Sequence, residues 1–298
     1  MIEKNKLITA MVTPFNTYGE VDHKTSKKLA KALSETGSDG ILIGGTTGES
    51  PTLSNEEKLE LFKTVKEAVG DSADVIAGTT DNNTSESIKL SVEAQKLGVD
   101  GLLLTVPAYN KPTQEGLLSH FKKIADSVKI PGILYNVPGR TSLNMDAETT
   151  IELSKHENII GIKEASSNLS QITKIITETS GTNFKIWSGN DDETFSIMAL
   201  GGHGVVSVAS NIIGLQISKM IGTFLDGDVE FASRQHKNLL PLFEALFWVT
   251  NPILIKRALN ISGFNVGGLR LPMIDSNEYD EKFSKLINNF EIDVMNIK

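Results

Sequence analysis

The chain has 298 residues and no cysteine, and its 29 lysines and arginines against 37 aspartates and glutamates give a formal net charge of −8. The missing cysteine excludes disulfides, thiolate nucleophiles and cysteine-based metal sites, and the negative charge offers nucleic acid or an anionic membrane no electrostatic attraction. Hydrophobic residues make up 39% of the chain, which is ordinary for a globular protein with a large core.

The N-terminal segment shows no targeting pattern. Residues 1–6 lead into an apolar run that stops at Pro14, and this run is too short for a signal-peptide core followed by a cleavage site. No stretch approaches the ~20 apolar residues of a membrane helix. We therefore expect a cytoplasmic protein that binds neither a membrane nor nucleic acid.

Short apolar runs rich in β-branched residues alternate with longer amphipathic stretches. Continuous apolar runs are typical of parallel strands that are covered on both faces. The predicted strands cover residues 7–12, 40–43, 74–77, 101–106, 132–135, 159–163, 184–188 and 204–208. Eight strand–helix units favour a closed (β/α)₈ TIM barrel over an open doubly wound sheet, and no GxGxxG opens the first helix as in a dinucleotide site.

Helical patterns fill the segments between strands and follow the last one. Ser54 and Glu57 predict a capping box at the start of the helix after the second strand. The clearest helical segments are residues 55–69, 84–97, 115–128, 215–225, 229–247, 252–259 and 278–289. No linker rich in Pro, Gly or Ser precedes the last four. We predict a barrel over residues 1–225 that carries the active site, with a C-terminal helical extension over residues 226–298 packed on it.

Polar motifs follow four of the predicted strands. Barrel enzymes place their active sites in these positions, at the C-terminal ends of the strands. The motifs are GGTTGE at residues 44–49, PAYN at 107–110, YNVPGRT at 135–141 and KEAS at 163–166.

Lys163 closes the apolar run of the sixth predicted strand, so its ammonium is expected to point into a partly dry barrel mouth. Desolvation lowers the pKa of a lysine and provides the free amine that attacks a ketone. The protonated imine then accepts electrons from the adjacent carbon. The alternative is a lysine that only leaves the strand and forms a salt bridge with Glu164.

The other motifs place polar groups near this lysine. Tyr135 ends the adjacent strand and can relay protons, or it packs as a half-buried aromatic residue. Thr46 and Thr47 follow two glycines, whose backbone approaches the carboxylate of a keto acid closely, or they form a bare tight turn. Arg140 follows a rigid Pro-Gly turn and can bind a second carboxylate bidentately, or it is a surface arginine.

Metal and nucleotide sites are not indicated. The chain has no Walker glycine–lysine motif, and its histidines show no paired ligand spacing. These histidines are His23, His120, His156, His203 and His236. Residues 191–193 (DDE) are expected to start a helix, where acidic residues favour the helix dipole. We expect no metal and no organic cofactor.

Together, GGTTGE, YNVPGRT and KEAS resemble the dihydrodipicolinate synthase / N-acetylneuraminate lyase family of class I aldolases, in the family's order and on the expected strands. The similarity extends to residues 188–191 (SGND), 201–208 and 269–272 (LRLP), and so runs through nearly the whole chain. The PGRT segment at residues 138–141 is similar to the branch that condenses pyruvate with L-aspartate-4-semialdehyde to 4-hydroxy-tetrahydrodipicolinate, the first committed step toward diaminopimelate and lysine.

The resemblance implies a catalytic set. Lys163 would form the imine, and Thr47, Tyr135 and Tyr109 would form a proton relay. In relatives the equivalent of Tyr109 usually reaches in from a neighbouring subunit, which implies a homo-oligomer, either a dimer or a tetramer.

The resemblance also implies the substrate contacts. Thr46 and Thr47 would bind the pyruvate carboxylate, and Arg140 would bind the carboxylate of the aldehyde. Gly189 and the backbone carbonyl of Val206 line the same pocket in relatives.

Two other functions remain open. The first is another pyruvate-dependent aldolase of the family, an N-acetylneuraminate lyase or a 2-keto-3-deoxy sugar-acid aldolase, although a sugar substrate would favour neutral residues in place of Arg140. The second is a catalytically silent, barrel-shaped binding protein. The presence of Lys163, Tyr135, Tyr109 and Thr47 together argues against this second alternative.

Departures from the family pattern concern a cleft that binds lysine in regulated relatives. Ala108 replaces a common aromatic residue, and Thr80 replaces a common glycine. Asn55 and Lys58 stand where histidines commonly occur. Three matching positions are kept, namely Ser50, Asn82 and Glu86. A positive charge at Lys58 would repel a cationic ligand, so feedback inhibition by lysine is expected to be weak or absent.

Overall fold

A computed structural model describes residues 2–276 and 278–295; the remaining positions, which both predicted domain ranges include in part, lie outside the described residues. Parallel strands close into a barrel in sequence order, because each pairs with the next and the last pairs with the first. The strands are β1 (Leu7–Ala10), β2 (Gly40–Ile43), β3 (Asp74–Gly78), β4 (Gly101–Thr105), β5 (Gly132–Asn136), β6 (Ile159–Glu164), β7 (Lys185–Ser188) and β8 (Gly204–Ser207). The predicted (β/α)₈ fold is confirmed.

Helices follow the strands and then form the C-terminal extension. They are α1 (His23–Glu35), α2 (Asn55–Val69), α3 (Thr84–Lys96), α4 (Gln114–Asp126), α5 (Pro138–Thr141), α6 (Ala147–Leu153), α7 (Leu169–Glu178), α8 (Thr194–Ala199), α9 (Ser210–Leu225), α10 (Val229–Ala245), α11 (Ile253–Ile261) and α12 (Asp280–Ile287). The predicted capping box between Ser54 and Glu57 is present at α2. Helix α9 starts before residue 215, the predicted start, because it continues through a kink at Ile213. Within the described part of the chain, no helix combines the length and the apolar character needed to cross a membrane.

Alternating strand residues fill two separate cores. One set of side chains packs inside the barrel, and the other packs between the strands and the surrounding helices. The barrel interior contains Ile8, Leu42, Ile76, Leu103, Ile133, Trp187 and Val206. Because side chains alternate along a strand, Tyr135 and Lys163 point into the barrel, whereas Asn136 and Glu164 point toward the helices.

The C-terminal extension is joined to the loop after β2 by charged side chains. In α11 the buried Lys256 Nζ lies 2.8 Å from Glu49 Oε1. The guanidinium of Arg270 pairs with Glu57 of α2 and donates to the Thr52 carbonyl. The loop that carries GGTTGE is therefore held from the extension side as well as from the barrel.

Candidate active site

The strand register places Lys163 beside Tyr135 at the C-terminal end of the barrel. The two residues are Cα partners between β5 and β6, and Lys163 is also paired with Trp187 of β7. Lys163 and Tyr135 are each 5% exposed. The Lys163 ammonium lies 4.3 Å from the centroid of the Tyr135 ring. An amine and a phenol therefore lie side by side in a pocket at the end of the apolar barrel interior, where both are shielded from solvent.

The electrostatic environment of Lys163 favours the free amine. Burial lowers the pKa of the Lys163 ammonium to about 7, the negative charge of Asp191 opposes this shift, and the positive charge of Arg140 adds to it. The carboxylate of Glu164 is held on the other face of β6, where it accepts hydrogen bonds from Asn136 Nδ2 and from the Ser166 N–H. The alternative of a Lys163–Glu164 salt bridge is therefore not formed.

Tyr135 is held as a neutral phenol. Burial raises the pKa of Tyr135 to about 12, while the charge of Arg140 and a hydrogen bond with Thr46 act in the opposite direction. A phenol that keeps its proton near neutral pH can both donate and accept hydrogen bonds. This property suits a group that passes a proton on to a neighbouring atom.

The GGTTGE loop turns its backbone toward the pocket. Within the turn, the N–H groups of Gly48 and Ser50 both donate to the Gly45 carbonyl. The N–H groups of Thr46 and Thr47 have no partner among the residues that the structure describes. Free backbone donors next to hydroxyl groups can form an anion-binding concavity.

Close packing makes glycine necessary below this loop. At Gly44, φ is +66°, a conformation that residues with a side chain rarely adopt. A Cβ at Gly78 of the neighbouring strand would lie 2.3 Å from the Gly44 carbonyl oxygen. The two glycines therefore let the β2 loop lie directly against β3.

Gly189 directly follows β7, and Val206 lies in β8, so both come after the strand that carries Lys163. A Cβ at Gly189 would lie 2.7 Å from Ala165 Cβ and 3.2 Å from Lys163 Cε, so a larger residue would crowd Ala165 first and the lysine side chain as well. Val206 is 1% exposed and faces the barrel interior from β8. The absence of a side chain at Gly189 therefore leaves space beside the Lys163 side chain.

Arg140 lies at the mouth of the barrel in the short helix α5. It is exposed to solvent, and its charge acts on both Lys163 and Tyr135. Its Nη2 lies 3.5 Å from the backbone carbonyl oxygen of Asn251. The guanidinium is therefore available to a ligand that enters from solvent.

Tyr109 is not brought into the pocket by its own chain. Its side chain is 94% exposed, and its φ is +66°. The loop is nonetheless anchored, because Asn82 Oδ1 accepts a hydrogen bond of 2.9 Å from the Ala108 N–H, and the Asn82 carbonyl accepts one from Asn110. An aromatic side chain is thus held away from the chain's own active site on an ordered loop.

A cavity of about 670 Å³ extends from the barrel mouth toward α2. Its lining includes Thr46, Arg140, Ser50, Asn55, Lys58, Asn82 and Ala108. Burial lowers the pKa of Lys58, and the negative charge of Asp81 opposes that shift. Glu86 pairs with Lys89 on the surface of α3 instead, at 2.7 Å. The residues of the predicted lysine cleft are therefore only partly gathered in this cavity.

Thr80 has a local explanation. Its hydroxyl accepts a 2.7 Å hydrogen bond from the Thr105 N–H and lies 3.3 Å from the Leu103 carbonyl oxygen. The side chain that replaces glycine here therefore bonds to the backbone of β4.

Two buried polar side chains near the pocket make long-range contacts that no sequence pattern predicts. Asn251, 3% exposed, donates from Nδ2 to Thr47 Oγ1 at 3.0 Å. Asp191, also 3% exposed, accepts hydrogen bonds from the N–H groups of Val208 and Ala209. The DDE segment does precede helix α8 as expected, but the Asp191 side chain serves the start of α9. Nothing in the local sequence indicates either long-range contact.

Comparison with known proteins identifies similar enzymes. A model of the dihydrodipicolinate synthetase family matches residues 3–290. The 4-hydroxy-tetrahydrodipicolinate synthase of Dehalococcoides mccartyi strain CBDB1 is 54% identical over 287 residues, which cover 96% of this chain and 95% of the relative. The enzyme of the same name from Heliobacterium modesticaldum is 47% identical over 293 residues, with coverage of 98% and 97%.

Solved structures show the same likeness over the full chain. Dihydrodipicolinate synthase from Bacillus anthracis has a TM-score of 0.93 and 40% identity, with 100% of both chains covered. The enzyme from Cyanidioschyzon merolae, crystallised with lysine bound, has a TM-score of 0.94 and 45% identity, with 99% of both chains covered.

Proposed function

This chain belongs to the dihydrodipicolinate synthetase family, and we propose that it carries out the family's pyruvate chemistry through an imine on Lys163. It is a pyruvate-dependent lyase that condenses pyruvate with L-aspartate-4-semialdehyde to give 4-hydroxy-tetrahydrodipicolinate. The observation that carries the assignment to Lys163 is a buried amine with a pKa near 7, placed over the Tyr135 ring.

The first steps make and activate the imine. The Lys163 amine attacks the keto carbon of pyruvate, and the resulting carbinolamine loses water to form the protonated imine. Tyr135 and Thr47 carry protons to and from the oxygen that leaves. The imine then withdraws electrons from the methyl carbon, which loses a proton to give an enamine. The enamine attacks the aldehyde carbon, which forms the new carbon–carbon bond and a hydroxyl group. The amino group that came with the semialdehyde then attacks the imine carbon, and the bond from that carbon to the Lys163 nitrogen breaks, so the ring closes and the free lysine is released.

Two anion sites orient the substrates. The free N–H groups of Thr46 and Thr47 bind the pyruvate carboxylate, and Gly189 leaves room for the adduct on Lys163. Arg140 binds the carboxylate of the aldehyde. Because Arg140 is exposed at the barrel mouth, its interaction with the carboxylate becomes shielded from solvent only when the second substrate covers it. Replacing Arg140 by alanine should therefore raise KM for the semialdehyde more than KM for pyruvate.

We propose that Tyr109 completes the relay of a neighbouring subunit, so that the enzyme works as a homo-oligomer in the cytoplasm. The anchored, outward-facing side chain supports this role. The division into a barrel at residues 1–225 and an extension at residues 226–298 belongs to the same proposal, with the active site in the barrel.

Subunit mixing tests the role of Tyr109. Tyr109→Phe and Lys163→Ala oligomers are each expected to be almost inactive. Mixed oligomers should regain activity, because some pockets then combine an intact Lys163 with an intact Tyr109. If subunits exchange and no activity returns, Tyr109 does not act across the interface.

A substrate comparison tests the reaction itself. One sample of the purified enzyme is treated with pyruvate and borohydride to trap the imine. A separate, untreated sample is assayed with aspartate-4-semialdehyde, sialic acid and keto-deoxy sugar acids. We expect one trapped three-carbon unit per chain and turnover of the semialdehyde alone. Turnover of a sugar acid would favour the other aldolases, and no trapped adduct would favour a silent binding protein.

A further inference from the structure

Asn251 connects the C-terminal extension to the active site. It lies between α10 and α11, far in sequence from the strand motifs, and is buried. Its Nδ2 donates to Thr47 Oγ1 at 3.0 Å, and its backbone carbonyl oxygen lies 3.5 Å from Arg140 Nη2. One residue of the extension thus touches both a group assigned to the proton relay and the group assigned to the second substrate.

The contact with Thr47 constrains the direction of its hydroxyl proton. A threonine hydroxyl has one proton to donate and two lone pairs that accept. Since Asn251 Nδ2 is a donor, it occupies one of those lone pairs, and the Thr47 proton must point elsewhere. Asn251 Oδ1 is buried without a hydrogen-bond partner among the described residues. Among the described residues, the hydrogen bond to Thr47 is therefore the one that the Asn251 side-chain amide makes.

A second anchor keeps Asn251 at this distance from Thr47. Lys256, in the next turn of the extension, binds Glu49 Oε1 at 2.8 Å and the Thr13 carbonyl at 3.0 Å. Glu49 lies in the same loop as Thr47, and its other oxygen accepts from the Arg270 N–H at 3.0 Å. The loop and the extension are therefore joined by the Lys256–Glu49 contact as well as by the Asn251–Thr47 contact. The Lys256–Glu49 contact restricts how far Asn251 can move away from Thr47.

We infer that Asn251 is a positioning residue, which holds the Thr47 hydroxyl with its proton directed toward the reacting atoms. This inference rests on the proposed function, since it assigns the relay to Thr47. An isosteric aspartate at position 251 only accepts hydrogen bonds when ionised, so it would turn the Thr47 proton away from the pocket. An alanine would leave the hydroxyl free to rotate.

The test is a double-mutant cycle between Asn251→Asp and Thr47→Val, read as kcat at saturating concentrations of both substrates. Asn251→Asp should lower kcat by about tenfold or more, with KM for pyruvate changed by less than about threefold. In the Thr47→Val background the same change should cost less than about twofold, because the hydroxyl that it acts on is absent. Asn251→Ala, which adds no charge, should show the same coupling.

Asn260→Asp provides a matched control. Its amide bonds to the Gly267 carbonyl and the Val266 N–H within the extension and does not contact Thr47. The Asn260→Asp variant should have a lower unfolding temperature than the wild type and a kcat within about twofold of the wild-type value.

The outcomes separate this inference from the proposed function. Independent, multiplicative losses in the cycle overturn the role of Asn251, as does a kcat within about twofold of the wild type in both Asn251 variants. If neither Asn251→Asp nor Asn251→Ala folds, Asn251 is a structural residue and the inference is wrong. Trapping of pyruvate in the wild type is measured alongside: its absence refutes the imine chemistry itself, whereas a normal adduct with an additive cycle refutes only the positioning role.

Discussion

Among the residues that the structure describes, two lysines are buried, Lys163 in the barrel mouth and Lys256 in the extension, and their surroundings differ. Each ammonium lies 4.3 Å from the centroid of an aromatic ring, Tyr135 in one case and Phe15 in the other. Lys256 is also paired with Glu49 and donates to the Thr13 and Gly268 carbonyls. Lys163 has no ion-pair or hydrogen-bond partner among the described residues, and Asp191 acts on it only through its negative charge.

The difference shows that burial alone does not make a lysine reactive. Burial lowers the pKa of both side chains, but for Lys256 the charge of Glu49 and a hydrogen bond with it act against that shift. A paired and hydrogen-bonded ammonium stays charged and cannot attack a carbonyl. Lys163 lacks this compensation, so its amine is free for chemistry.

The largest expected effect is the loss of pyruvate capture in Lys163→Ala. Borohydride trapping should disappear, and turnover should fall by at least about a thousandfold, because the amine that forms the imine is removed. The control removes both charges of the other site in one chain, Glu49→Gln with Lys256→Met, and should keep the adduct. Mass spectrometry of the trapped protein decides the matter; a full adduct in Lys163→Ala would show the assignment to be wrong.

The next effect is on the free energy of unfolding, and it should differ between the two lysine sites. Glu49→Gln leaves the charge of Lys256 buried and uncompensated, which should lower the free energy of unfolding by about 3–5 kcal/mol. Lys163→Met removes a desolvated amine and should leave that free energy unchanged or raise it. Urea unfolding at pH 7 compares the two. A Glu49→Gln loss below about 1 kcal/mol would mean that the ion pair contributes no more than a surface pair does.

A smaller effect is the pH dependence of pyruvate capture. Since the pKa of Lys163 is about 7, its free amine should increase about tenfold between pH 6 and pH 8. The initial rate of trapping should rise accordingly. Between pH 7 and 10.5 the unfolded chain binds more protons at this residue than the folded one, so its contribution to the unfolding free energy also rises with pH there. Stopped trapping reactions measure the rate, and a flat profile would contradict the lowered pKa.

The smallest expected effect is that of added lysine. Lys58 lines the cavity and brings a basic side chain to it, Ala108 offers little apolar area, and Glu86 is engaged with Lys89. Submillimolar lysine should therefore leave the rate unchanged at saturating pyruvate. Lys58→His is the matched variant and should increase sensitivity if the charge is the cause. Half-inhibition of the unmodified enzyme at submillimolar lysine would refute this interpretation.

The periodic parts of the chain were predictable because their signal is local. The strands, the capping box at Ser54 and the placing of Lys163 next to Tyr135 follow from apolar runs, from residues three apart and from the order of strands in a barrel. These features depend only on residues that are close in sequence or on the closure of a parallel sheet. Their positions could therefore be predicted from the sequence.

The sequence by itself determined the barrel and the residue types at its mouth. The tertiary structure decided which partners these residues contact and whether a buried lysine is paired. Asn251 reaches Thr47, Lys256 reaches Glu49, and Asp191 binds the start of α9 through contacts between distant parts of the chain. Tyr109 was placed outside its own pocket by the loop that Asn82 anchors. No local pattern encodes such contacts, because they depend on how the extension and the loops pack once the barrel has closed. That packing makes Lys163 a dry, unpaired amine and Lys256 a paired cation.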